Sequence, residues 1–210
     1  MKMQRWLTAV AVLSFAGSMP ADAGTIRSPV SVVANTLGTA GGSTARLIDQ
    51  SGLSTNFSSG QTDFESYIAL APTHVVVSPS TGWASSTNTM LGYLEFDLGN
   101  AFAISTFALW TQNTFLAVNN FTLSSALDAG FTSEVTGLGT FNAAIGLGVQ
   151  TFIVSGAGEF VRLQINSGHG GTSVNLGEVA FDTAAIPEPA SLAAFGVGLV
   201  GLQRARRRRA

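Results

Sequence analysis

Hydrophobic and polar residues alternate over short stretches through the middle of the chain, with a period of two. Leu94, Phe96 and Leu98 fall on one side of a run whose other side carries Tyr93, Glu95 and Asp97. Val161, Leu163 and Ile165 oppose Phe160, Arg162 and Gln164 in the same way. Such alternation sends successive side chains to opposite faces of a β-strand. Similar runs between Gly, Ser, Thr and Asn clusters predict strands near Ser31–Thr36, His74–Ser78, Tyr93–Leu98, Ala103–Trp110, Ala117–Ser124, Thr151–Ser155, Phe160–Ile165 and Leu176–Phe181. Helical periodicity is confined to a turn near Gln61–Leu70, and no long unit repeats. The pattern predicts an all-β domain over residues 24–185, a single jelly-roll β-sandwich.

The two ends follow a different pattern. Lys2 and Arg5 precede an apolar stretch from Trp6 to Phe15, and Ala21-Asp22-Ala23 supplies an A-x-A cleavage site. Residues 1–23 therefore read as a signal peptide, with Ala21 and Ala23 marking the cut. The apolar core is about ten residues, half of the roughly 20 that span a bilayer. At the other end Pro187-Glu188-Pro189 stops any strand or helix and marks the edge of the domain. An apolar segment, Ala190–Leu202, follows, and then Arg204 and the run Arg206, Arg207, Arg208, Arg209. That segment predicts a single hydrophobic helix, short for a bilayer, whose Arg cluster stays cytoplasmic. Motif, Gly-rich apolar helix and basic terminus, in that order over residues 186–210, resemble the PEP-CTERM sorting signal. The resemblance implies an exosortase as partner, transient anchoring in the inner membrane, removal of the tail, and a final place at the cell surface or in the extracellular matrix.

Composition sharpens this division. Charged residues are 10% of the chain and Cys is absent, which excludes disulfides, thiolate metal sites and thiol nucleophiles. The net charge of −2 conceals an acidic domain: residues 24–185 hold three Arg, no Lys and ten acidic residues, 3 − 10 = −7. That charge argues against nucleic acid and anionic membrane as partners of the domain. There is no G-x-S-x-G elbow, phosphate loop or dinucleotide fingerprint, so the chain reads as non-enzymatic. Regular ranks of Thr are missing, the only T-x-T being Thr87-Asn88-Thr89.

A second resemblance rests on six pieces in order. They are Leu47–Ser54, Gly82–Ser86, Gly92–Gly99 with the strand ending Phe107-Ala108-Leu109-Trp110, Leu123–Gly130, Glu159–Leu163 and Leu176–Phe181. The series is similar to the discoidin family, the coagulation-factor type C domains of the galactose-binding-like fold, and covers about Ser31 to Asp182. Family members often close their ends with a disulfide, which this chain lacks. The resemblance implies a structural calcium between the early loop and the late Glu, drawing on Asp49, Ser51, Thr55, Glu178 and backbone near Leu47 and Gly52. The plainer alternative has Asp49 capping a turn and Glu178 at a solvated strand end.

The resemblance also places ligand recognition in loops at one end of the sandwich. Asn56, Phe57, Gln61 and Asp63 lie in one candidate loop and Thr87, Asn88 and Met90 in another. Phe57 or Phe64 would stack on a sugar if exposed, and plug the core if buried. His169, in Ser167-Gly168-His169-Gly170-Gly171, is either a ligand group or incidental to a flexible turn. Arg162 needs a partner in its apolar strand, with Asp97 expected and Glu95 competing. Together these features predict an exported carbohydrate-binding or adhesive module associated with extracellular polysaccharide. The alternatives are a purely structural matrix protein and a polysaccharide-active hydrolase.

Overall fold

The computed structural model describes residues 24–186, so the signal-peptide and tail assignments, including Ala21, Ala23, Pro187–Pro189 and Arg204–Arg209, lie outside the described residues. Ten strands are present there: β1 (Thr25–Arg27), β2 (Ser31–Asn35), β3 (Gly41–Gly42), β4 (Trp83–Ala84), β5 (Gly92–Trp110), β6 (Val118–Ala126), β7 (Thr136–Asn142), β8 (Gln150–Gly168), β9 (Asn175–Leu176) and β10 (Glu178–Ala185). A 3₁₀ turn (Thr44–Leu47) and a five-residue helix α1 (Phe64–Ile68) complete the set. The larger sheet runs β1-β10-β5-β8-β6-β7 with β2 added to β5, and the smaller is β3-β4-β9. This is the expected jelly-roll β-sandwich.

The alternation read from sequence fixes the layers. Leu94, Phe96 and Leu98 of β5 and Val161, Leu163 and Ile165 of β8 point into one core with Phe107, Phe121 and Phe181. Phe107 centres an aromatic cluster, its ring centroid 5.2 Å from Phe181 and 5.8 Å from Phe121. The other face of β5 and β10 is covered too, by a second core of Ile26, Phe57, Phe64, Tyr67, Ala108, Trp110 and Ala180. Successive residues of β5 thus enter different cores, Phe107 and Leu109 one, Ala108 and Trp110 the other. Both large indoles bury with a partner, Trp83 donating to Thr39 Oγ1 at 2.9 Å and Trp110 to the Pro72 carbonyl at 3.1 Å.

Three expectations are corrected. The strand expected at His74–Ser78 is absent; Thr73 and His74 make only isolated bridges, to Gly148 and Leu53. The separate strands expected at 93–98 and 103–110 are one strand, as are those at 151–155 and 160–165. Arg162 pairs with Glu95 and not with Asp97. Register decides the last point, because Glu95 stands directly opposite Arg162 whereas Asp97 stands opposite Phe160. Asp97 turns its Oδ1 to the Gly99 N–H at 2.6 Å.

Candidate functional site

Two loops from distant parts of the chain meet beside the smaller sheet. One, between β4 and β5, carries Asn88, Thr89, Met90 and Leu91; the other, between β8 and β9, carries Gly171 and Thr172. Ser85, fully buried at the end of β4, holds them together. Its Oγ donates to the Thr89 carbonyl at 2.6 Å and accepts from the Val174 N–H at 3.0 Å. Asn88 turns the first loop with φ +62°, a left-handed conformation that Asn tolerates better than most residues. The Gly171 N–H donates to the Phe115 carbonyl at 3.1 Å, which brings the 111–117 connection alongside.

These six residues line a cleft of about 420 Å³. Leu91 and Phe115, 64% and 60% exposed, put apolar surface at this end, while Asn88, Thr89 and Thr172 offer amide and hydroxyl groups. Such a mixture suits a sugar, whose C–H face is apolar and whose rim is hydroxyl. Replacing Ser85 with alanine would strand the buried Val174 N–H. We expect a loss of about 1–3 kcal/mol in urea-unfolding stability, with loosening of both loops. Wild-type stability in that variant would remove Ser85 from this role.

Of the residues expected to meet a ligand, Asn88 and Met90 line the cleft. Asn56 and Gln61 are exposed in the separate 54–63 loop. Asp63 caps α1, its Oδ1 accepting from the Ser66 N–H at 2.8 Å, and that hydrogen bonding holds the carboxyl below its ordinary range. Phe57 is buried against Tyr67, with ring centroids 5.0 Å apart, and Phe64 is buried beside them; both are core plugs. His169 is near in sequence, but its Nε2 faces the Ala143 carbonyl at 2.9 Å. Thr89, Leu91, Phe115 and Thr172 were missed. The Gly170-Gly171-Thr172 run is visible in the sequence, but Thr172 carries no chemical signal there that sets it apart from the chain's other threonines.

A second constellation sits around Glu178. This residue is fully buried at the start of β10. Its Oε2 accepts from the Gln50 N–H at 2.9 Å, and its Oε1 is buried without a partner. Burial pushes its pKa up to about 9; the Gln50 N–H opposes the shift and the charge of Asp49 adds to it. The Ser51 hydroxyl oxygen is likewise buried and unpartnered. Asp49 accepts from Arg46 Nη1 at 2.8 Å and from the Ser51 N–H at 2.9 Å. Against desolvation, which raises it, hydrogen bonding from Ser51 and the Arg46 guanidinium hold Asp49 below its usual range. Thr55 is exposed, its carbonyl accepting from the Tyr67 hydroxyl at 2.6 Å. Burial and then the charge of Glu178 push that phenol up to about 12.

His74, buried beside these groups, places Nε2 3.0 Å from the Ser51 carbonyl and Nδ1 2.6 Å from that of Val75. Among the described residues no three acidic or imidazole side chains converge on one point. A hard cation here would therefore use Glu178 and Asp49 with the Ser51 hydroxyl and backbone carbonyls. A carboxylate oxygen and a hydroxyl oxygen, each buried without a partner, fit such a cation.

Known structures bear on this geometry. The family 32 carbohydrate-binding module (CBM32) of AlyQ, solved with 4,5-unsaturated mannuronic acid, matches with a TM-score of 0.54 at 16% identity, covering 76% of this chain and 99% of that one. A CBM32 from a Clostridium perfringens family 31 glycoside hydrolase matches at 0.52 and 11%, covering 74% and 96%. The family 32 module of Streptococcus pneumoniae EndoD matches at 0.51 and 12%, covering 75% and 98%. The fold is that of the galactose-binding-like CBM32 modules. Residues 185–209 match the PEP-CTERM protein-sorting motif. No curated protein matches the chain. The CBM32-like sandwich thus stands directly before a sorting motif, and among its described residues no helix is long and apolar enough to cross a membrane.

Proposed function

We propose that this is an exported, non-catalytic carbohydrate-binding protein of the cell surface or extracellular matrix. In this reading the signal peptide directs export and the apolar tail anchors the chain transiently in the inner membrane. An exosortase processes the tail at Pro187-Glu188-Pro189, and the sandwich then engages extracellular polysaccharide. The observation that carries the binding reading is the cleft at Asn88 and Thr172, apolar on one side and hydrogen-bonding on the other. A structural calcium at Glu178, Asp49 and Ser51 completes the proposal. When bound, the ion supplies fixed positive charge, while Glu178 supplies the anchor that joins the early loop to β10.

A glycan array probed with the purified protein in the presence of calcium tests the reading. Binding to a defined set of glycans is expected, weakened by about tenfold in Asn88→Ala and Thr172→Ala through lost hydrogen bonds. Absence of binding to every glycan at high protein density would sink it.

A further inference from the structure

The described residues contain three arginines. Arg46 pairs with Asp49 and Arg162 with Glu95, whereas Arg27 meets no carboxylate among the described residues. Its guanidinium is nevertheless held. Nε donates to Thr183 Oγ1 at 3.2 Å, and the guanidinium carbon lies 3.9 Å from the centroid of the Phe102 ring. Thr183 is fixed in turn, its Oγ1 donating to the Thr25 carbonyl at 3.3 Å. Gly60 closes over the group: its φ is +71°, and a β-carbon there would sit 2.7 Å from Nη2. Among the described residues Nη1 and Nη2 have no acceptor, and they border a pocket of about 340 Å³ shared with Thr25, Phe102, Thr183 and Ala185.

A guanidinium pinned at Nε and stacked on an aromatic ring has lost its conformational freedom, while its outer N–H groups remain unspent. That edge matches a planar carboxylate in two parallel hydrogen bonds. We propose that this pocket is a carboxylate-binding site, built to take the acid group of a uronic-acid residue or of a chemically equivalent side chain. The domain around it carries −7, which disfavours a dense polyanion and favours a single acid on a lightly charged partner. Two sources fit the chemistry: a glycan uronate, and Glu188, three residues beyond Ala185. The pocket shares no lining residue with the Asn88 cleft, so either site can fail without the other.

Digalacturonic acid and its methyl ester, titrated into the isotopically labelled full-length protein and followed by NMR, provide the test. The acid is expected to shift the amide resonances of Thr25, Arg27 and Thr183, and the ester to leave them in place. Arg27→Gln should weaken binding by about tenfold or more, and Arg27→Lys, which keeps charge and alkyl packing, should lose most of it for want of the fork. Tighter binding by Glu188→Gln than by wild type assigns the native occupant to Glu188, and equal binding assigns it to the glycan. Undiminished binding by both Arg27 variants, or no binding by wild type and Glu188→Gln alike, overturns the site.

Discussion

Arg162→Ala is expected to destabilise the domain by about 3–5 kcal/mol, read as a fall in the urea midpoint at unchanged slope. Glu95 lies near the start of β5 and is 4% exposed. Its charge is offset by Arg162 on β8, whose Nε donates to Oε1 at 2.7 Å. The aromatic rings of Tyr93 and Phe131 lie 4.4 and 4.2 Å from the guanidinium carbon and shield the pair from water. Removing only the arginine leaves a carboxylate uncompensated in an apolar setting, which costs far more than the pair contributes. Phe131 also loses the cation it covers. Its loop is otherwise held by Asp128, which accepts from Thr132 and Ser133, bonds that keep its carboxyl well below the ordinary range. The double variant Glu95→Leu/Arg162→Met should recover most of the loss. A single-variant loss under 1 kcal/mol, the scale of a surface pair, would show that water reaches Glu95.

The second large effect concerns pH and calcium. The native Glu178 holds its proton up to about pH 9, whereas an ordinary carboxyl releases it near 4.5. The raised native value means that this group's contribution is fully present below the lower value and is lost as pH rises through the upper one. In EDTA, stability should therefore fall between pH 5 and 9 with a slope approaching about 1.4 kcal/mol per pH unit. At the proposed site calcium would take the ionised form, so it should oppose the fall, and its stabilising increment should grow with pH. Glu178→Gln should abolish both the slope and the calcium increment. Thermal melting across pH, with and without calcium, separates the cases: a flat metal-free profile would disprove the buried proton, and an increment surviving in the variant would place any calcium elsewhere.

Much of the sandwich was legible because burial writes itself into period-two alternation, as at Leu94-Phe96-Leu98 and Val161-Leu163-Ile165. The fusion of neighbouring strands was not legible. Gly99-Asn100 reads as a turn, yet the chain continues through it as β5 because Gly99 takes φ +83° and the ladder with β8 shifts register there. Register also concealed the partner of Arg162, since Glu95 and Asp97 share a face and only the strand offset chooses between them. Only the family resemblance joins the late Glu178 to the early Asp49–Ser51 loop in the sequence. The orphaned oxygens that give them interest are a property of packing. The cleft left the faintest trace. It joins segments some eighty residues apart through Ser85, which donates to the Thr89 carbonyl and accepts from the Val174 N–H, and its walls are common polar and apolar residues without a motif.

The placement of β10 has a mechanical consequence. It lies between β1 and β5, with Thr183 opposite Thr25 and Ala185 opposite Phe102, and it is the last strand before Ile186 and the sorting motif. Tension on a tether leaving at Ile186 would enter the domain along this strand. To draw β10 out, the load must break two hydrogen-bond ladders together and expose Val179 and Phe181 from one core and Ala180 from the other. A chain without cysteine has no covalent clasp across its ends. Here the strand that takes the pull is gripped on both edges and both faces, so a load applied at that end would be spread through the sheet.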